Sequence, residues 1–261
     1  MLSPLRHPLC CAGACLVLVL VAVVVFAGPP AREASAQDGP AAARPVTGCQ
    51  YTASAQVRRG PPSASKRIAL TFDDGPATLT TSFLKVLERE HVPATFFVVG
   101  RNVAGRQAVL RRALAGGSML GNHSFTHVSL AAAGDAALRE LTDTQDAIRA
   151  ATGFTPCLFR PPFGLSGRRL VHAAGAQGLK SILWSVNPQD FTEPGAKIIR
   201  RRVLDGVRPG SIVLSHDGGG QRRQTLAALP GIIRTLKARG YRFVTVTDLL
   251  GLALVRGTSG S

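Results

Sequence analysis

Residues 70–76 read Leu-Thr-Phe-Asp-Asp-Gly-Pro, an apolar run that ends in two adjacent carboxylates and a turn. Neighbouring side chains on a strand point to opposite faces, so Asp73 and Asp74 serve one site only where the strand is ending. Gly75 and Pro76 supply that ending, since Gly tolerates unusual dihedrals and Pro fixes φ. Farther on, Asn122-His123-Ser124-Phe125-Thr126-His127 places two imidazoles four residues apart. That spacing puts both on one face of a helical turn, where both reach one ion. A carboxylate from another strand end would complete a three-ligand site with a position open for water. Each motif alone has a plainer reading: a turn with two solvated acids, and two polar histidines of a loop or helix end.

Further charge falls at similar places. Phe159-Arg160-Pro161-Pro162-Phe163-Gly164 surrounds an arginine with rigid turn residues that fix its position. Trp184-Ser185-Val186-Asn187-Pro188-Gln189-Asp190-Phe191 and Leu214-Ser215-His216-Asp217 each continue an apolar run. The elements that position these motifs begin at Lys66, where short apolar runs alternate with longer amphipathic stretches, the pattern of repeated strand-helix units. Strands are expected at 68–72, 94–99, 118–121, 157–160, 181–186, 211–215 and 243–246. Helices are expected at 80–90, 105–115, 135–151, 166–177, 196–204 and 221–239. This order predicts an α/β fold whose parallel sheet closes into a barrel with the helices outside. Chemistry in such a barrel sits at the carboxyl ends of the strands. Four of the first six strands deliver an ionisable side chain at or just after that end, and the one carrying Trp184 does so a little later through Asp190.

With 261 residues the chain suffices for one large domain or two small ones. Its net charge of +16 is carried mostly by Arg and favours anionic partners. The arginines are scattered in pairs without interleaved aromatics, which argues against a nucleic-acid surface and leaves envelope polyanions as the attractors. Arg6 and His7 precede an apolar run over 9–27 and then Ala34-Ser35-Ala36, the layout of a secretory signal. About 18 apolar residues also span a bilayer, so an uncleaved anchor is the alternative, and the membrane enters only that way. Cys10, Cys11 and Cys15 fall in this segment, and Cys15 stands at its front, the wrong end for a lipid anchor. Residues 1–36 thus read as leader or anchor, 37–65 as an Ala/Pro/Gly/Ser linker, 66–254 as one catalytic domain and 255–261 as a flexible tail. In an exported protein Cys49 and Cys157 could form one disulfide; otherwise they are two unpaired thiols. There is no internal repeat. The expectation is a monomer, secreted or associated with the cell envelope.

Thr-Phe-Asp-Asp-Gly-Pro, His-Ser-x-x-His, Arg-x-Pro-x-Gly, Asn-Pro-Gln-Asp-Phe and Leu-Ser-His, in this order, resemble the NodB-like polysaccharide deacetylases, carbohydrate esterase family four. The resemblance covers about residues 66–250. It implies a distorted barrel of about seven strand-helix units, and a metal-dependent hydrolase that removes acetyl groups from N-acetylated sugars. The substrates it suggests are peptidoglycan or chitin oligomers. An O-acetyl esterase acting on a polysaccharide such as xylan, and a catalytically inactive glycan-binding module, are the alternatives.

Carried over by position, the resemblance makes Asp74, His123 and His127 metal ligands and Asp73 the general base. Zn²⁺ is the ion foremost implied, with Co²⁺ or another first-row ion also suiting an Asp-His-His set. Such an ion polarises a carbonyl and lowers the pKa of its water from about 15.7 toward about 7. His216 matches the general acid, and an imidazole suits that role because its ordinary pKa, about 6.5, is close to working pH. Arg160 is implied to pair with and orient the base, and Asp190 to hold Arg160 in turn. Leu214 would line the acetyl pocket, the backbone N–H of Phe163 would face the oxyanion, and Trp184 and Phe191 stand on the substrate side. Two positions depart from the family pattern: Asn187 where Asp is common, and Phe191 where Trp is common. His7, His91 and His172 have no partner in the pattern and read as structural or surface residues.

Overall fold

The computed structural model describes residues 46–50, 56–61, 65–132 and 134–257. Its strands are β1 (Val46–Cys49), β2 (Arg67–Asp73), β3 (Thr95–Val98), β4 (Met119–Asn122), β5 (Leu158–Phe159), β6 (Lys180–Ser181), β7 (Ile212–His216), β8 (Arg242–Phe243) and β9 (Leu254–Arg256). Its helices are α1 (Thr80–Arg89), α2 (Gln107–Ala115), α3 (Asp135–Thr152), α4 (Arg168–Ala176), α5 (Ala196–Gly206), α6 (Arg223–Ala238) and α7 (Val246–Leu250). The leader, His7 and the three cysteines near the amino terminus lie outside the described residues. Among the described residues no helix is long and apolar enough to cross a membrane.

Seven strands form one curled parallel sheet in the order β6-β5-β4-β3-β2-β7, with β8 also pairing with β2. Alternation along β2 divides its side chains. Ile68, Leu70 and Phe72 pack toward the helices, where Phe72 meets Phe83 edge-on at 5.1 Å and stacks on Phe96 at 5.3 Å. Ala69 belongs to a second cluster with Phe97, Leu158, Ile182 and Ile212. Thr71 and Asp73, two and four residues after Ala69, share its face by the same period of two. The strand therefore aims Asp73 inward because its greasier neighbours are claimed by the helices.

The expected barrel closes only in part. β6 is two residues long instead of spanning 181–186, and β5 is likewise shorter than 157–160. The gap between β6 and β7 is closed by an isolated bridge from Val186 to Val213. On the same side, Val57 bridges to Ile182 and Arg59 to Ser211. The stretch expected to be linker thus contributes to the domain, and its tightest piece fills a gap in the sheet.

The domain is extended at both ends. β1 pairs antiparallel with β9, so the domain begins before residue 66, and the segment expected to be a tail from 255 starts inside a strand. The Cys49–Cys157 disulfide ties β1 to the residue just before β5 across 108 positions. At the other end, the strand expected over 243–246 stops at Phe243. Thr245 accepts a hydrogen bond from Asp248 N, and the Asp248 side chain caps in return, so a helix starts at Val246 instead.

Candidate active site

Asp73 is the last residue of β2, and Asp74 follows it with φ 75°. That left-handed residue reverses the alternation of the strand, so two consecutive carboxylates face the same side. The space for this turn comes from glycines: a Cβ at Gly219 would overlap Asp74 Oδ2, and one at Gly75 would overlap the Asp217 carboxylate. Asn102 Nδ2 donates to Asp74 O at 2.9 Å and fixes the turn from outside.

His123 follows β4 directly, but no helical turn joins it to His127, contrary to the expectation from the spacing. The chain bends instead through Ser124 (φ 65°) and reaches His127 at φ 63°. Ser124 N donates to Asn122 Oδ1 and His127 N to Ser124 Oγ, so short local bonds replace helical ones. His123 Nδ1 lies 2.7 Å from Arg160 O. A carbonyl only accepts, so Nδ1 carries the proton and the Nε2 lone pair faces the carboxylates. Nε2 of His123 stands 3.4 Å and Nε2 of His127 3.1 Å from Asp74 Oδ1. The three donor atoms lie within 4.8 Å of one another.

This donor set fits a divalent cation. Asp74 Oδ1 is buried with no hydrogen-bond partner, an orphaned acceptor that a cation would satisfy. Burial pushes the Asp74 carboxyl up, and positive charge on the imidazoles of His123 and His127, when those rings are protonated, more than offsets it and holds the group well below the usual carboxylate range.

Arg160 is fully buried. Its Nη1 donates to Asp73 Oδ1 and to Thr71 Oγ1 at 2.7 Å each, and its Nε and Nη2 donate to Ile182 O and Leu183 O. The guanidinium also lies 4.0 Å from the Phe97 ring centre. Burial lowers its pKa and Asp73 opposes that shift, as a paired charge should. The expected link from Asp190 to Arg160 does not form. Asp190 instead accepts from His216 N at 2.9 Å, meets His216 Nδ1 at 2.8 Å, and accepts from Thr225 Oγ1 at 2.9 Å. The reason is positional: Asp190 opens a short turn beyond the bridge at Val186, which sets it beside β7, whereas Arg160 donates to Asp73, Thr71 and the backbone carbonyls of 182 and 183.

His216 ends β7 directly opposite Asp73 in the parallel register. Burial would lower its pKa, yet the hydrogen bond and charge of Asp190 win, with help from Asp73 and Asp74, and raise it. Asp73, Asp74, His123, His127 and His216 open on one cavity of about 370 Å³, with Arg160 and Asp190 behind its wall. Leu214 and Trp184 line its wall, with Phe163 and Phe191 at its rim, 64% and 49% exposed. Phe163 meets His127 edge-on at 4.8 Å, and Phe191 meets His216 edge-on at 5.9 Å. Asn187 Oδ1 accepts from Gln189 N and shapes the turn before Asp190, so the departure from Asp keeps an acceptor. His91 and His172 take no part in this site.

Other residues of the site were not singled out from the sequence. Arg222 lines the cavity and ties down the glycine turn after β7 by donating to Gly218 O at 2.7 Å and Gly219 O at 3.0 Å. Burial pushes the Asp217 carboxyl up to about 7, although Thr80 Oγ1 donates to it. The local signal for both was the run of three glycines directly after Asp217 and two residues before Arg222.

The polysaccharide deacetylase family model matches residues 60–182. A peptidoglycan-N-acetylglucosamine deacetylase of Bacillus cereus is 38% identical over 194 residues, covering 72% of this chain and 90% of the relative. A chitooligosaccharide deacetylase of Bradyrhizobium is 37% identical over 209 residues, covering 74% and 95%. Among solved structures, a peptidoglycan N-acetylglucosamine deacetylase bound to a naphthalenyl N-oxidanyl-benzamide superposes with TM-score 0.72 at 32% identity, over 75% of this chain and 92% of that one. A family four pseudoenzyme from Bacillus anthracis superposes almost as well, with TM-score 0.70 at 30% identity over 76% and 69%. The backbone alone therefore does not separate active from inactive members. Sequence, fold and the five motifs converge on one conclusion: the chain belongs to the polysaccharide deacetylases, carbohydrate esterase family four.

Proposed function

We propose that this protein is a metal-dependent hydrolase that removes N-acetyl groups from an extracellular amino-sugar polymer, either peptidoglycan or chitin oligomers. The observation that carries this reading is the pairing of two tethered proton carriers across one cavity. Asp73 is held by Arg160, and His216 is held by Asp190. Asp74, His123 and His127 would hold the ion, Zn²⁺ foremost. When bound, it supplies Lewis acidity to the acetyl carbonyl and to a water. Asp73 takes the proton of the attacking water, because Arg160 Nη1 holds its carboxylate in place and pointed inward. The backbone N–H of Phe163 stabilises the developing oxyanion. His216 gives its proton to the sugar nitrogen as the carbon-nitrogen bond breaks, and Asp190 fixes its ring for that transfer. Leu214 and Trp184 take the acetyl methyl and the sugar face, with Phe191 and Phe163 at the rim.

An amine leaves poorly without a proton, whereas an alkoxide needs less help. A histidine with a raised pKa therefore supports amide over ester cleavage. The Cys49–Cys157 disulfide supports an oxidising, extracytoplasmic location. The test is acetate release by the full chain from peptidoglycan, chitin oligomers and acetylated xylan. Release from the N-acetyl glycans is expected. Release from xylan alone makes the protein an esterase, and glycan binding without any release makes it an inactive binding module.

A further inference from the structure

The loop between the two histidines carries two non-glycine residues in the left-handed region, Ser124 and His127. Each such residue is strained for a side chain with a Cβ and persists only where its surroundings dictate it. Two clamps do so. On one side, Gly100 N donates to Ser124 O and Arg101 N to Phe125 O, both at 3.0 Å. On the other side stands a single carboxylate from α3. Glu140 Oε2 accepts from Phe125 N and from Thr126 N, and Oε1 accepts from Thr126 Oγ1, all at 2.7 Å. Three of the loop's donors thus converge on one charged group that lies outside the cavity.

We propose that Glu140 is a positioning residue for the metal-binding loop: it sets the separation of His123 and His127 before any ion arrives, and so determines metal affinity. This rests on the metal site of the proposed function. A carboxylate that accepts two adjacent backbone N–H groups forms charge-assisted bonds stronger than neutral ones. Because α3 is an 18-residue helix packed on the sheet, the loop is referenced to a rigid body. Residues that orient metal ligands typically influence affinity by about 10- to 100-fold.

The test uses the full chain stripped of metal and titrated with Zn²⁺ in competition with a chromophoric chelator. Glu140→Ala is expected to weaken Zn²⁺ binding by about 10- to 100-fold. Glu140→Gln keeps one acceptor oxygen for the two backbone N–H groups, turns the other into an amide donor and loses the charge, so an intermediate value is expected. In metal-free protein, amide exchange at Phe125 and Thr126 should accelerate in Glu140→Ala while the strands of the sheet stay protected. Wild-type affinity in a folded Glu140→Ala overturns the proposal, even if that variant is less stable. Should Glu140→Ala fail to fold, Thr126→Val removes one of the three bonds and should weaken binding several-fold; unchanged affinity there is equally fatal. A wild-type chain that binds no Zn²⁺ removes the metal site itself, and this role with it, whereas loss of glycan activity with intact Zn²⁺ binding leaves it standing.

Discussion

Asp73 reaches the cavity from the end of β2, held by a fully buried arginine that lies inside the sheet. His216 reaches it from the adjacent end of β7, held by a carboxylate 26 residues away on a short turn outside the regular sheet. The first arrangement is internal: besides Asp73, Arg160 donates to Thr71 and to the backbone carbonyls of Ile182 and Leu183. The second is peripheral, and its partner comes from the segment where the barrel is least regular. In the proposed mechanism the base thus rests on the core, and the acid on a turn at the edge of the sheet.

The comparison predicts that damage to the first half costs stability as well as activity. Asp73→Asn should lower acetate release by about 10²- to 10⁴-fold, since the proton acceptor is gone. The same change leaves Arg160 as a buried charge without its partner, so the urea midpoint should fall as well. Loss of activity without loss of stability would show that Arg160 is not held by that charge. On the other half, His216→Ala should lower release from an N-acetyl glycan by about 10²- to 10⁴-fold, and lower release from an O-acetyl ester by a smaller factor. Equal losses on both substrates would remove the leaving-group role.

Asp190→Asn tests the second half more gently. The acid role needs a protonated ring, so the rate falls as pH rises through the His216 pKa. Asp190 raises that pKa, and removing its charge should move the alkaline limb of kcat/KM to lower pH. The stability consequence has the matching sign. A raised folded pKa contributes stability that is complete below about pH 6.5 and is lost as pH climbs through the folded value. That dependence should shrink or reverse in the variant, because burial then opposes only the charges of Asp73 and Asp74, and chemical denaturation at pH 5 and 9 would measure it. The smallest effect is expected from Phe191→Trp. A larger aromatic rim is worth roughly 0.5–1 kcal/mol, a two- to fivefold lower KM with kcat unchanged. A changed kcat would place residue 191 in the chemistry and not at the rim.

The same contrast separates what the sequence made legible from what it hid. Asp73, Asp74, His123, His127, Arg160 and His216 were visible because motif spacing and strand ends are local properties. The conformation of the histidine loop was not, because Ser124 and His127 are held left-handed by Gly100, Arg101 and Glu140, whose contacts only the fold creates. Asp190 was visible as a charged residue but was given the wrong partner. A pairing between separate elements is decided by where the barrel breaks, and no local pattern encodes that. β1 was hidden for the same reason: its partner β9 lies about 200 positions away, and Val46-Thr47-Gly48-Cys49 has no periodicity of its own.

The account stands or falls on the link between the Asp74, His123 and His127 cluster and amide hydrolysis. The direct measurement is acetate release from N-acetylglucosamine oligomers by the full chain after chelation, and again after Zn²⁺ or Co²⁺ is restored. The account predicts silence after chelation, recovery with either ion, and no recovery in a folded His127→Ala. Undiminished release from chelated protein, or full recovery in His127→Ala, would contradict it.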